Sequence, residues 1–169
     1  MARLVADTSA LVSLGIAAGG DPDLLDLVLS TYEVVVPTVV TDELREIASY
    51  DDAHGRSATS VLDRAEHFET RSVTLDAEFP LDEGENAAVT LANDHDAALL
   101  LCDEFTQLGL IHASLANTRL VTTPTLLSVL VRTGELSAGD ARGLLDDMSA
   151  ARSWETNSYV QRARSLLER

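Results

Sequence analysis

Lysine is absent from this 169-residue chain, and all 12 of its basic residues are arginine. Against them stand 28 aspartates and glutamates, which give a formal net charge of −16 at pH 7. A protein that grips duplex nucleic acid through a basic face needs the opposite charge balance, so that class is disfavoured. An enzyme whose bound metal ions supply positive charge locally is compatible with the composition.

Cysteine, aromatic residues and long apolar runs are also scarce. The single cysteine, Cys102, cannot form an internal disulfide and lies in an apolar segment, so we expect a buried thiol. No apolar run approaches the roughly 20 residues of a membrane span, and the N-terminus lacks the pattern of a secretory signal. We therefore expect a cytoplasmic protein with no membrane partner. Aromatic residues make up only 4 % of the chain, and no code for reading RNA bases is recognisable in it.

The acidic excess favours a protein adapted to very high salt, as in a halophile. A surface of this charge repels itself, which opposes the compact state. At about 1 M salt the Debye length is only about 3 Å, so most of that repulsion is screened. We therefore expect the melting temperature to rise when KCl is raised from about 0.1 M to about 2 M in a thermal unfolding series. A melting temperature that stays constant over this range would contradict the hypothesis.

Short apolar segments alternate with helical patterns along the chain. The expected strands lie at 3–6, 33–36, 72–75, 97–102 and 120–121, and the expected helices include 38–50, 56–69 and 104–115. This alternation predicts an α/β protein of three layers, α/β/α, with a mainly parallel central sheet. No linker or repeat interrupts the pattern. We expect residues 1–169 to form one domain, with 122–169 as a helical C-terminal extension.

The stretch from Leu81 to Glu104 carries two acids at positions suited to ligand binding. Glu85 falls in the first turn of a predicted helix, and Asp103 follows a predicted strand. In open α/β sheets, ligands bind at the carboxyl ends of the strands. Both residues also have ordinary explanations: Asp82 and Glu85 match a capping box, and Asp103 suits the cap of the following helix.

Two further acids occupy comparable positions. Asp7 ends the first predicted strand, where it is either a helix cap or a metal ligand, and Glu43 lies beside the apolar stripe of a predicted helix. Carboxylates gathered in one pocket raise one another's pKa, and a hard cation such as Mg²⁺ or Mn²⁺ stabilises them together. Such a site suits hydrolysis of a phosphodiester, because the ion activates water and steadies the leaving oxygen.

Several segments together resemble the PIN-domain nucleases, the family that includes the toxins of VapBC toxin–antitoxin pairs. The matching segments are VADTSALVSL (5–14), VVTDEL (39–44), LDEGENAAVTLA (81–92) and ALLLCDE (98–104). The later segment TTPTLLSVLVRTGEL (122–136) resembles the extension of a prokaryotic subgroup that is predicted to bind nucleic acid. The resemblance spans nearly the whole chain.

The resemblance implies an endoribonuclease that uses Mg²⁺ or Mn²⁺ to hydrolyse RNA. Under it, the four acids take the places of the catalytic, metal-binding quartet: Asp7, Glu43, Glu85 and Asp103. Ser9, or Thr8, takes the place of the hydroxyl that hydrogen-bonds the first acid or a metal-bound water. The resemblance further implies a toxin with an antitoxin protein as partner, and a homodimer.

Other functions are open on the sequence alone. One is a PIN-like protein that binds nucleic acid or a protein without cutting, and another is a housekeeping RNA-processing nuclease. Relatives often carry a second acid and then a basic residue shortly after the last aspartate, whereas here Glu104 follows Asp103 and no arginine occurs before Arg119. A receiver-type or phosphoryl-transfer domain with Asp7 as acceptor is least favoured, because such domains normally use a lysine to balance the phosphate.

Overall fold

A computed structural model describes residues 1–168 of the chain, and its five strands form a single parallel sheet. The strands are β1 (Arg3–Ala6), β2 (Glu33–Pro37), β3 (Glu69–Arg71), β4 (Leu99–Leu101) and β5 (Arg119–Val121). They are arranged in the order β3-β2-β1-β4-β5. Because every pairing is parallel, all five carboxyl ends lie at one edge of the sheet.

Nine α-helices connect and flank the strands within residues 1–168. They are α1 (Thr8–Ile16), α2 (Leu24–Thr31), α3 (Thr38–Ala48), α4 (Ala53–Leu62), α5 (Glu83–Asp94), α6 (Leu108–Ser114), α7 (Thr123–Arg132), α8 (Ala138–Arg152) and α9 (Ser158–Leu167). Most begin at a side chain that accepts a hydrogen bond from the first helical turn, which explains the Asp, Ser, Thr and Asn residues before them. In this part of the chain, no helix combines the length and the apolar character required to cross a bilayer.

Side chains of the central strands alternate between two separate cores. On β1, Leu4 and Ala6 pack on one face of the sheet and Val5 packs on the other. Helices α1–α4 and α7–α9 cover the first face, and α5 and α6 cover the second. A strand buried on both faces is apolar throughout, which is why the sequence pattern located it. The helices on both faces confirm the predicted three-layer α/β/α class.

Three elements differ most from the sequence-based expectations, while the others differ by at most two residues at their ends. The third strand is 69–71, not 72–75: all its residues are exposed at the sheet edge, so it has no apolar signal. The helix expected over 56–69 is α4, Ala53–Leu62, followed by a short 3-10 turn at Ala65–His67. The helix expected from 104 begins only at Leu108, because the backbone N–H of Gln107 donates to the Glu104 carbonyl and closes a turn.

Helices α1 and α4 pack backbone against backbone. Gly15 permits this contact, because a Cβ atom at that position would lie 2.3 Å from the carbonyl oxygen of Ser57. No side chain fits at this distance, so α4 holds α1 in a fixed position on the sheet. Helix α1 begins at the carboxyl edge, so its position also determines the geometry described next.

Candidate functional site

Asp7 follows β1 directly and is the N-cap of α1. The residue is 5 % exposed, and its carboxylate accepts hydrogen bonds from the backbone N–H of Ala10 (2.9 Å) and from the Cys102 thiol (2.9 Å). Burial raises the pKa of Asp7 from 3.8 to about 6, although these donors oppose the rise. Asp7 is thus both a helix cap and a buried carboxyl group.

The hydroxyl groups of Thr8 and Ser9, which follow Asp7, donate hydrogen bonds to different acids. The Ser9 hydroxyl donates to both carboxylate oxygens of Asp7 (2.8 and 2.9 Å) and accepts the backbone N–H of Asp103 (2.9 Å). It therefore joins the ends of β1 and β4. The Thr8 hydroxyl donates to Oε2 of Glu43 at 2.8 Å.

Glu43 lies on α3, half-buried against the start of α5. A Cβ atom on Gly84 would lie 2.2 Å from Oε1 of Glu43, so the glycine leaves room for the carboxylate. Burial raises the pKa of Glu43, and the hydrogen bond from Thr8 opposes this rise. The close contact fixes one side of the Glu43 carboxylate and the Thr8 hydroxyl fixes another.

Glu85 lies in the first turn of α5, where the predicted capping box is present. The Asp82 side chain accepts the backbone N–H of Glu85 at 2.8 Å, and the Glu85 side chain accepts the backbone N–H of Asp82 at 3.4 Å. Burial raises the pKa of Glu85 to about 7, and the neighbouring Asp82 charge adds to the rise. The capping role does not remove Glu85 from the site, because its carboxylate also faces the cavity described next.

A cavity of about 70 Å³ lies between these residues at the carboxyl edge of the sheet. Its lining residues are Asp7, Thr8, Ser9, Glu43, Asp82, Gly84, Glu85 and Glu104. The structure therefore brings three of the four predicted acids to one cavity, together with Ser9. Glu104 also lines it, although sequence reasoning did not single this residue out. Its position directly after Asp103 was the available signal, since adjacent residues after a strand point to different sides.

Asp103 lies beside this cavity without lining it. Its Oδ1 accepts the backbone N–H of Thr123 at 2.7 Å, while its Oδ2 has no hydrogen-bond partner among residues 1–168. The residue is 5 % exposed. Burial raises the pKa of Asp103, and the hydrogen bond from Thr123 opposes that rise more than the Arg152 charge does. The Asp103 carboxylate thus faces α7, while its backbone N–H holds Ser9.

Arg152, at the end of α8, stabilises α1 through two hydrogen bonds. Its Nη1 donates to the backbone carbonyl of Ser9 (2.7 Å) and to the Ser13 hydroxyl (3.0 Å). The guanidinium carbon also lies 5.6 Å from the centroid of the Trp154 ring. Sequence reasoning missed this residue, which is 143 positions away from Ser9, and no local pattern identifies such a contact.

The donor chemistry of the cavity fits a hard divalent cation. Within residues 1–168, none of its acids forms an ion pair with arginine or histidine. Carboxylate oxygens without a cationic partner suit Mg²⁺ or Mn²⁺. Across that same range, 1–168, no three His, Cys, Asp or Glu side chains are arranged so that they could bind a metal ion together. Mg²⁺ commonly binds through one or two carboxylates and keeps several waters, so this open arrangement still fits it.

Comparisons with known proteins give one family. A family model described as "DUF3368: PIN domain" matches residues 3–169. No curated protein gives a significant match. Among solved structures, a PilT N-terminus domain protein from the hyperthermophilic archaeon Sulfolobus solfataricus P2 is 17 % identical, with a TM-score of 0.48. That match covers 71 % of this chain and 86 % of the other.

Proposed function

The chain belongs to the PIN domain family, and from this premise we propose that it is an endoribonuclease that hydrolyses RNA phosphodiesters with Mg²⁺ or Mn²⁺. PIN domains are generally nucleases, which supports a role in cleaving nucleic acid. The observation that carries the proposal is the cavity at the carboxyl edge, where several carboxylates meet without an arginine or histidine partner in residues 1–168.

The carboxylates that would hold the cation, directly or through its bound waters, are those of Asp7, Glu43, Glu85 and Glu104. When bound, a divalent ion supplies the positive charge that activates water and stabilises the leaving oxygen. The protein contributes preorganised donors. Ser9 and Cys102 orient Asp7, and Thr8 orients Glu43. Fixed carboxylates lower the reorganisation required during the reaction.

We propose that Glu104, rather than Asp103, supplies the fourth cavity-facing carboxylate. The family resemblance assigns that role to Asp103, but Glu104 lines the cavity while the Asp103 carboxylate binds the backbone N–H of Thr123. Under this proposal Asp103 is a positioning residue, which holds the Ser9 hydroxyl with its backbone and the start of α7 with its side chain.

Cleavage of single-stranded RNA with Mn²⁺, and its loss with EDTA, tests the proposal. We expect Glu85→Gln to lower the rate at least about 100-fold, because the loss of a ligand exceeds the 10–100-fold effect typical of residues behind a metal site. Glu83→Gln is the matched control: this exposed acid lies in the same helical turn, outside the cavity lining. Equal losses in both variants would show that the cavity is not the catalytic site.

A second pair of variants separates the roles of Asp103 and Glu104. If Glu104 faces the cation, Glu104→Gln lowers the rate more than Asp103→Asn does. Asparagine at position 103 keeps the backbone N–H that Ser9 needs and an oxygen for Thr123, so the expected loss is smaller. A larger loss in Asp103→Asn would return the ligand role to Asp103.

We further propose that the nuclease acts as a homodimer and as the toxin of a type II toxin–antitoxin pair, with an antitoxin protein as partner. Family membership supports both ideas. An adjacent gene for a small DNA-binding protein, together with growth arrest on expression, would support the toxin role, and light scattering tests the dimer. If the gene is isolated and its overexpression leaves growth unchanged, a housekeeping RNA-processing role is favoured.

A protein that binds RNA without cutting it is the second candidate. The open arrangement of the acids, with no complete ligand set in residues 1–168, favours this candidate. Binding of RNA without Mn²⁺-dependent cleavage would establish it.

A further inference from the structure

An aromatic pair lies next to the acidic cavity. Phe105 follows Glu104, and its ring stacks on the ring of Tyr159 in α9, with centroids 5.8 Å apart and planes inclined by 12°. Trp154 meets Phe105 edge-on, with centroids 5.2 Å apart. Trp154 is only 6 % exposed, whereas Tyr159 is 47 % exposed. Phe105 therefore supports one face of the Tyr159 ring, while Tyr159 remains accessible to solvent.

Tyr159 also lines a groove of about 360 Å³ between α6, β5 and the start of α7. The other lining residues are Leu108, Gly109, His112, Leu120, Val121, Thr122 and Thr125. None of them is acidic, although the chain has 28 acids, so a polyanion meets no repelling carboxylate in the lining. Mostly apolar walls with a few polar groups are typical of sites for small planar ligands.

Two consecutive residues, Glu104 and Phe105, link the groove to the acidic cavity. Glu104, which lines the cavity, is followed by Phe105, which packs on the Tyr159 ring of the groove. Thr122 of the groove follows β5, and β5 pairs with β4, which leads into Asp103 and Glu104. The cavity and the groove therefore adjoin the same segment, Glu104–Phe105, so a single RNA strand is a ligand able to contact both.

We propose that Tyr159, supported by Phe105, is a stacking platform that seats one base of single-stranded RNA in this groove. The inference rests on the proposed ribonuclease function and adds a substrate subsite to it. Unstacked bases bind to aromatic side chains in most recognition of single-stranded RNA. Every base has a π-face, so this platform holds the strand without selecting a sequence.

Anchoring of α9 does not require the Tyr159 ring. Val160, Ala163 and Leu167 of the same helix are each 4 % exposed or less, and they attach it to the core. Asn157 caps its first turn with hydrogen bonds from the backbone N–H groups of Tyr159 and Val160. The exposed Tyr159 is therefore available to a ligand.

Binding of a fluorescein-labelled oligouridylate, measured by anisotropy, tests the platform without cleavage. EDTA prevents turnover, and about 1 M KCl screens phosphate–carboxylate repulsion. We expect Tyr159→Ala to raise the dissociation constant about 10-fold or more, the effect typical of removing one stacking side chain. Tyr159→Phe should bind as the wild type does. Leu166→Ala, on the same helix, 40 % exposed and outside the groove, is the matched control and should also leave binding unchanged.

Tyr159→Leu separates stacking from packing. Leucine keeps an apolar contact with Phe105 but has no aromatic face, so stacking predicts weak binding and a packing role predicts normal binding. Normal binding by Tyr159→Ala or Tyr159→Leu, or an equal loss in Leu166→Ala, would overturn the platform even if Mn²⁺-dependent cleavage is intact. Weak binding by Tyr159→Ala and Tyr159→Leu, with no cleavage by the wild type, would support the platform and overturn the nuclease.

Discussion

Replacement of Asp7 by asparagine is expected to abolish Mn²⁺-dependent RNA cleavage and to stabilise the metal-free protein at neutral pH. The buried carboxyl of Asp7 has a pKa of about 6, against an ordinary value of 3.8. Between these values the native state binds more protons than the unfolded chain, so stability falls as pH rises through the window and is lowest above it. At about 1.4 kcal/mol per pKa unit, the raised pKa of Asp7 lowers the free energy of unfolding by about 3 kcal/mol above this pH window. Asparagine removes the charge and keeps an oxygen for the Ala10 N–H.

Urea unfolding in EDTA measures the stability part of this prediction. The gain in unfolding free energy of Asp7→Asn over the wild type should be largest near pH 7. It should shrink as pH is lowered to about 5, where the Asp7 carboxyl of the folded wild type is already mostly protonated. Added Mn²⁺ should stabilise the wild type, because it binds only the folded state, and should stabilise the variant much less. Glu83→Gln removes an exposed charge that only adds to the raised pKa of Glu43, so its effects should be much smaller. Retained cleavage, or a less stable variant at neutral pH, would contradict the assignment of Asp7.

Gly15→Ala is expected to destabilise the protein by about 3 kcal/mol or more, the upper range for an overpacked core. The new Cβ would lie 2.3 Å from the Ser57 carbonyl oxygen and 2.8 Å from its carbon. Both are backbone atoms, so no side chain can move aside and α1 must separate from α4. Since α1 begins with Asp7 as its cap, Mn²⁺ binding should weaken as well.

Gly143→Ala is the control for this substitution. Gly143 lies inside α8, and a Cβ atom there would meet nothing within 4 Å. Alanine should therefore stabilise the protein by about 0.5–1 kcal/mol through the lower entropy of its unfolded chain. The two variants carry the same chemical change, so opposite shifts in urea midpoint would isolate the steric effect. Equal shifts would show that α1 and α4 are not in rigid contact.

Much of the fold could be predicted because its central strands are buried on both faces. The apolar runs around Val5, Val35 and Leu100 identified three strands, and the acids that follow or flank them identified the edge of the sheet where the cavity lies. Strand β3 escaped detection, because an exposed edge strand needs no apolar side chains. Its register is set by pairing with β2, a long-range contact that no local pattern encodes.

The details of the site depended on geometry that sequence patterns do not carry. Whether Asp103 or Glu104 faces the cavity is decided by the turn at 104–107, where the periodicity suggested a helix. The Cys102 thiol was expected to be buried, and it is, but its hydrogen bond to Asp7 follows from strand pairing. Acid positions are thus readable from sequence, whereas their orientation is a property of the folded chain.

The Arg152 contact bears on any attempt to trim this protein to a minimal catalytic core. Removal of the segment after position 121 would delete the guanidinium that binds the Ser9 carbonyl and the Thr123 N–H that binds Asp103. The start of α1 would lose its hydrogen bonds from Arg152, and the buried Asp103 carboxylate would lose its hydrogen-bond donor and a positive charge that opposes its raised pKa. The segment that looks like an appendage therefore holds the ends of β1 and β4 in place.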